Sequence, residues 1–315
     1  MKDENRNNDS LRNDSLNDDS LKDKSLINES LIGGTSLWSS GWSRFRRNRA
    51  GMAGAVIVLC LYMIALLAPV ISPCDPVQHG DLPAMRHNPP SVAHPLGTDK
   101  FGRDVMSRVF YGSRISLTVS LLAVVIAVVI GALVGAVAGY SGGIVDAVIM
   151  RTVDALMAIP RIFLLLTCIA LFSRSILLII VLLGATSWMG TARLVRGQIL
   201  SLRNKDFIIA AESLGAGSRR IIFRHLLPNT MTVMIISATL RIGGIILIEA
   251  ALSFLGLGVP PPTASWGQMV FEGRDVLLGA WWISTFPGIA IIATVIGYNL
   301  LGEGLKESFD PVQFS

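Results

Sequence analysis

Uncharged apolar runs recur along this chain, parted by short polar stretches. A helix of about 17–25 apolar residues covers a hydrocarbon core about 30 Å thick. Gly51 to Ile71, Ile115 to Gly139, Ile176 to Ala192 and Trp281 to Leu301 fit that length, and Asn229 to Leu255, which holds Arg241 and Glu249, slightly exceeds it. The run Ile162 to Phe172, between Arg161 and Arg174, is too short alone. It crosses only if its helix starts near Ala155 and takes in Pro160 and Arg161. The pattern therefore predicts an all-α membrane protein with six spans, at about 51–71, 115–139, 155–172, 176–192, 229–255 and 281–301. On the second span Gly131, Gly135 and Gly139 recur every fourth residue, which predicts one small-residue face for close helix packing.

Charge orients the bundle. Arg44, Arg46, Arg47 and Arg49 precede the first span, and Arg193, Arg196, Arg203, Lys205, Arg219, Arg220 and Arg224 lie between the fourth and fifth. Positive-inside bias puts the N-terminus and that loop in the cytoplasm. The loop after the first span runs against the bias, with Arg86, Lys100, Arg103, Arg108 and Arg114, but long loops count less. Trp281 and Trp282 fit an interfacial belt at the outer end of the last span.

Composition agrees: 51% of the 315 residues are hydrophobic and 16% charged. The net charge of +5 does not point to nucleic acid, because the basic residues flank apolar spans. Cys60, Cys74 and Cys168 are odd in number and imply no disulfide framework. Residues 1–41 are a different kind of sequence. A pentad ending in Ser-Leu repeats at Leu11, Leu16, Leu21, Leu26 and Leu31. That period matches neither helix nor strand, so the leucines share no face, and the segment reads as a disordered cytoplasmic tail. Residues 42–315 form the membrane domain.

The stretch DFIIAAESLGAGSRRIIFRHLLPN, Asp206 to Asn229, is too polar to cross and too patterned for a slack connector. Phe207 to Leu214 predicts a short helix, Gly215-Ala216-Gly217 a break, and Ser218, placed to cap it, a second helix to Leu227 that Pro228 stops. Ile221, Ile222, Leu226 and Leu227 make one face; Arg219, Arg220, Arg224 and His225 make the other. Such a helix-turn-helix is either a handle for a soluble partner or an interfacial anchor.

The segment resembles the cytoplasmic loop of bacterial ABC importer permeases, which has Glu-Ala-Ala, a glycine, then His-x-Leu-Pro. Ala210, Ala211, Gly215, His225, Leu227 and Pro228 match; Ile209 stands where the glutamate would, and Glu212 lies beyond the alanines. HPLGTDKFGRDVMSR (His94 to Arg108), EAALSFLGLGVPPPTASWGQM (Glu249 to Met269) and NLLGEGLKESFDP (Asn299 to Pro311) are similar to the C-type permeases of dipeptide, oligopeptide and nickel importers. The resemblance implies the type I ABC importer permease fold in the bacterial inner membrane. It implies a coupling loop, with Ala210, Ala211, Glu212, Gly215, Arg219, Arg220, His225 and Pro228, seated in a groove of an ATPase. The implied partners are a second related permease, two ATP-binding cassette subunits that carry the ATP and Mg, and an external solute-binding protein. The implied cargo is dipeptides or oligopeptides, with nickel or another small solute as the alternative.

Nothing in the chain supplies a motor. GxxxxGK[ST] is absent, and so are HExxH, CxxC and GxSxG, so no catalytic residues, cofactor or metal site are expected. A stand-alone secondary transporter would show inverted repeats, and none is evident. Arg161, Arg241 and Glu249 are charges within apolar spans and are the pathway candidates. They either line the passage or satisfy one another across a subunit interface. Arg241 and Glu249, eight residues apart, are about 12 Å apart along one helix, too far to pair directly. The proline-rich outer loops, 73–114 and 256–281, are expected to be stiff and exposed, to pack over the mouth and to touch the binding protein. His79, His87 and His94 have spacings that do not enforce a metal geometry.

Overall fold

The computed structural model describes residues 37–77 and 85–309. The pentad repeat and His79 lie outside the described residues. The described chain is helical, with one isolated bridge between Thr98 and Asp104. Five helical segments are long and apolar enough to cross a membrane, six if one bent pair counts as a span.

Helix α1 (Leu37–Arg47) begins inside the stretch read as tail. Its Phe45 is buried over Gly51 and Gly304, where no side chain competes for the space. Asn48 caps α2 (Arg49–Ile71) by accepting from the Gly51 amide at 2.8 Å. Helix α3 (Val105–Ser141), capped by Asp104, is the central pillar. Its 37 residues rise about 55 Å, so both ends project beyond the apolar layer. The Gly131, Gly135 and Gly139 face packs where predicted: a Cβ on Gly135 would lie 2.4 Å from the Ala192 carbonyl oxygen of the facing helix.

The third span is not the single helix expected. The chain forms α4 (Gly143–Ala158) and α5 (Arg161–Leu171), bent by 79° at the break. The cause is local. A residue before proline is pushed out of the α region, and Ile159, which precedes Pro160, is extended at φ −77° and ψ 122°. The fourth span is also jointed, as α6 (Ile176–Ala185) and α7 (Trp188–Leu202). At the joint the Thr186 and Ser187 hydroxyls donate back to the Leu182 and Leu183 carbonyls, competing with the helix ladder.

Helices α8 (Asp206–Ser213) and α9 (Ser218–Ile221) follow. Gly217, not Ser218, occupies the N-cap of α9. Pro228 does not stop this helix, contrary to the sequence expectation. A π-helical turn, Ile222–Leu226, joins α9 to α10 (Leu227–Phe254). The wider turn lets the Leu227 amide reach the Ile222 carbonyl and places Pro228 in the first turn of α10, where its missing N–H costs little. Asn229 donates to the His225 carbonyl at 2.6 Å. Helix α11 (Trp266–Gly273) lies in the outer loop, and α12 (Trp282–Phe309) packs on α2 through Gly54 and Gly297.

Candidate functional site

The 206–229 segment is a built structure. Leu214 caps α8, Gly215 follows at φ +78°, and two bonds close the end: Gly215 N–H to the Glu212 carbonyl at 2.9 Å and Ala216 N–H to the Ala211 carbonyl at 3.0 Å. These are the paired bonds of a Schellman motif, which needs a left-handed residue at that position. A Cβ on Gly215 would meet nothing within 4 Å, so the backbone angle, not space, selects glycine. Ile208, Ile221 and Leu226 are buried in one cluster with Ala132, Ala136, Val195 and Ile199, which fastens the loop to α3 and α7. Glu212 accepts from the Tyr140 hydroxyl at 3.2 Å.

What remains outside is the opposite surface. Leu214 is 88% exposed at the apex, and Phe207, Ile209 and Phe223 are exposed around it. Ala210, Arg219, Arg220 and Pro228 are also exposed, while Ala211 and His225 are half-buried. An apolar tip ringed by arginines stands on a fixed base.

The structure brings Arg161 and Arg241 together and holds Glu249 elsewhere. Arg161 donates from Nε to Thr186 Oγ1 at 3.0 Å, and from Nη2 to the Leu183 carbonyl at 3.1 Å and Ser187 Oγ at 2.6 Å. Arg241 donates from Nη1 to the Ser187 carbonyl at 3.0 Å. Both guanidiniums thus grip the α6–α7 joint and line one cavity of about 280 Å³. Arg241 also lines a groove of about 780 Å³ between α7, α10 and α12. Glu249 is 1% exposed and accepts from Ser253 and Ser265 at 3.0 and 3.1 Å. Those bonds make it an anchor between α10 and the cap of α11.

Residues 127–313 match the family described as binding-protein-dependent transport system inner membrane component, and residues 36–90 match the N-terminal TM domain of oligopeptide transport permease C. The first match covers more than half of the chain. The chain belongs to the binding-protein-dependent transport permeases. Among curated proteins, this permease is 38% identical over 271 residues to the dipeptide transport system permease protein DppC of Bacillus subtilis, covering 86% of this chain and 84% of that one. It is 37% identical over 276 residues to the oligopeptide transport system permease protein OppC of the same organism, covering 88% and 90%. It is 41% identical over 274 residues to the glutathione transport system permease protein GsiD of Escherichia coli, covering 87% and 90%. The permease is a multi-pass inner-membrane transport subunit of the type I ABC fold, not an enzyme. Its family works with a solute-binding protein.

The permease also carries a constellation that the sequence reading missed. The outer loops are not simply stiff and exposed. Asp99 accepts from Arg103 at 2.7 Å and Arg108 at 2.6 Å, and Glu272 accepts from the same two at 3.1 and 2.7 Å. All four side chains are at most 5% exposed. Trp266 donates to the Val109 carbonyl and Trp282 to the Thr98 carbonyl. Trp282 is therefore buried in this outer knot and is not part of a lipid belt; Trp281 is half exposed. The signal was the motif pair itself, since HPLGTDKFGRDVMSR and the segment around Trp266 to Glu272 supply both halves of the knot. His94 bonds Asp104 at 3.0 Å, and no group of three or more metal-binding side chains occurs among the described residues.

Proposed function

We propose that this chain is one of two related permease subunits in an ATP-driven importer of dipeptides or oligopeptides. An external binding protein delivers the cargo, and two ATPase subunits supply the work. The relatives named for dipeptide, oligopeptide and glutathione transport support the peptide reading.

The observation that carries the proposal is the exposed apex at Leu214 on a buried, closed base. Surface leucine at that exposure has no use inside this chain, and it fits an apolar groove on a partner. Gly215 sets the apex, and Ala210 and Ala211 let a partner approach α8 closely. Arg219 and Arg220 supply a basic rim, Glu212 ties the loop to Tyr140, the half-buried His225 accepts from Asn229 through its carbonyl, and Pro228 sits at the stiff joint with α10. This loop and the N-terminus face the cytoplasm. Arg161 and Arg241 line the passage, and Glu249 holds the outer loop on α10. The passage is shared with the second permease, and the outer knot gives the binding protein a firm surface.

Reconstitution of the full complex in liposomes tests this reading. Peptide uptake should require ATP, the ATPases and the binding protein. Uptake by this chain alone under an ion gradient would replace the proposal with secondary transport. Nickel uptake without peptide uptake would change the cargo.

A further inference from the structure

Arg161 and Arg241 have no counterion among the described residues. No carboxylate lies within salt-bridge distance of either among the described residues. Their acceptors are the hydroxyls of Thr186 and Ser187 and the carbonyls of Leu183 and Ser187, all neutral. The two positive charges act on each other unfavourably. No Asp or Glu lines either the 280 Å³ cavity or the 780 Å³ groove that Arg241 joins; Lys306 adds a third cation at the far end of the groove.

Each guanidinium has five N–H donors in a planar fork. Arg241 engages one, and its Nε is buried without a partner among the described residues. A buried donor left open is costly, and a charge deep in the apolar layer more so. Twinned cations of this kind persist where an anion visits. The fork of a guanidinium matches a carboxylate by two parallel hydrogen bonds, and the adjoining hydroxyls extend that polar rim.

We propose that Arg161 and Arg241 form a carboxylate-binding subsite within the membrane, occupied in turn by the C-terminal carboxylate of the transported peptide. The inference rests on the peptide-importer reading. The jointed α6–α7 helix presents the site, since Thr186 and Ser187 hold Arg161 on one side and Ser187 holds Arg241 on the other. A carboxylate contributed by the second permease would have the same chemistry, and the test separates the two sources.

The reconstituted complex is assayed with a peptide and its C-terminal amide, each at a concentration that saturates the binding protein. Wild type should carry the amide about tenfold more slowly than the acid, the size expected for one lost charge-assisted contact. Arg241→Gln and Arg161→Gln should slow the acid by about the same factor and add no further loss for the amide. Arg241→Lys should recover part of the acid rate. Equal loss for acid and amide in the Gln variants, or equal wild-type rates for the two, overturns the subsite. Loss of the second permease from the purified complex on Arg241→Gln also overturns it, by assigning the carboxylate to that subunit. Absence of any ATP-dependent peptide uptake by wild type would instead refute the importer reading.

Discussion

Gly215 offers a clean perturbation of the loop, because its surroundings are empty and its backbone angle is not. At φ +78°, with nothing within 4 Å of a built Cβ, alanine adds no clash and pays only for the left-handed conformation. That cost is about 1–2 kcal/mol. Valine adds the stiffness of β-branching, and asparagine tolerates the region best. Proline is excluded twice: its φ is locked near −65°, and it removes the N–H that bonds the Glu212 carbonyl at 2.9 Å. Its cost is therefore about 3 kcal/mol or more. A loss of about 1–2 kcal/mol raises local opening by about 5–30-fold. Hydrogen exchange at Ala216, whose amide bonds the Ala211 carbonyl, should accelerate by that factor in Gly215→Ala. If the loop transmits ATPase closure, transport per ATP hydrolysed should fall in the order Asn, Ala, Val, Pro. Gly215→Pro should insert in the membrane and turn over ATP while taking up little peptide. Full uptake in Gly215→Pro would refute the lever, and equal exchange at Ala216 in the Asn and Val variants would refute the reasoning from φ.

Three further outcomes are expected. Glu272→Gln leaves Arg103 and Arg108 facing Asp99 alone in a buried site, and should cost about 3–5 kcal/mol of outer-loop stability; thermal unfolding of the purified complex reads it. Gly135→Val should prevent α3 from approaching Ala192 at the present distance and cost about 1–3 kcal/mol, seen as a smaller folded fraction in detergent chromatography. For topology, Leu214→Cys in a chain lacking Cys60, Cys74 and Cys168 should react with an impermeant maleimide only from the cytoplasmic side, and native Cys74 only from the outside. Burial, and then the Asp104 carboxylate, push the Cys74 thiol above its ordinary value. Thiolate is the reacting form, so Cys74 should label slowly at pH 7 and still gain rate above about pH 9.5, where an ordinary thiol levels off.

The long spans were legible because length and the absence of charge are local properties, and α2, α3, α10 and α12 follow from them. The turn at Gly215 was legible for the same reason, since a glycine after a short helix announces its own conformation. The breaks were not. At Ile159 the signal was present, because the residue before a proline resists the helix, but the apolar run alone does not show whether the span bends there. At Thr186 and Ser187 no pattern warns of a joint; the hydroxyls that open it are ordinary in helices until a long-range arginine makes use of them. At Pro228 a one-residue rule failed because a π-turn absorbs the missing donor. The misses at Thr186, Ser187 and Pro228 required a partner from another helix or a change of helical pitch, and periodicity reports neither.

The exception to the positive-inside pattern has the same origin. Counted along the chain, the loop after α2 carries too many cations for an outer loop. Counted in space, Arg103 and Arg108 are balanced by Asp99 and by Glu272, which arrives from a loop more than a hundred and fifty residues later. The knot is electrically neutral. The arginines of α1 and of the 203–224 loop are mostly exposed and keep their full weight. Tertiary pairing also sets Arg161 and Arg241 apart: the buried Arg103 and Arg108 carry their own acids, whereas Arg161 and Arg241 meet only neutral acceptors among the described residues.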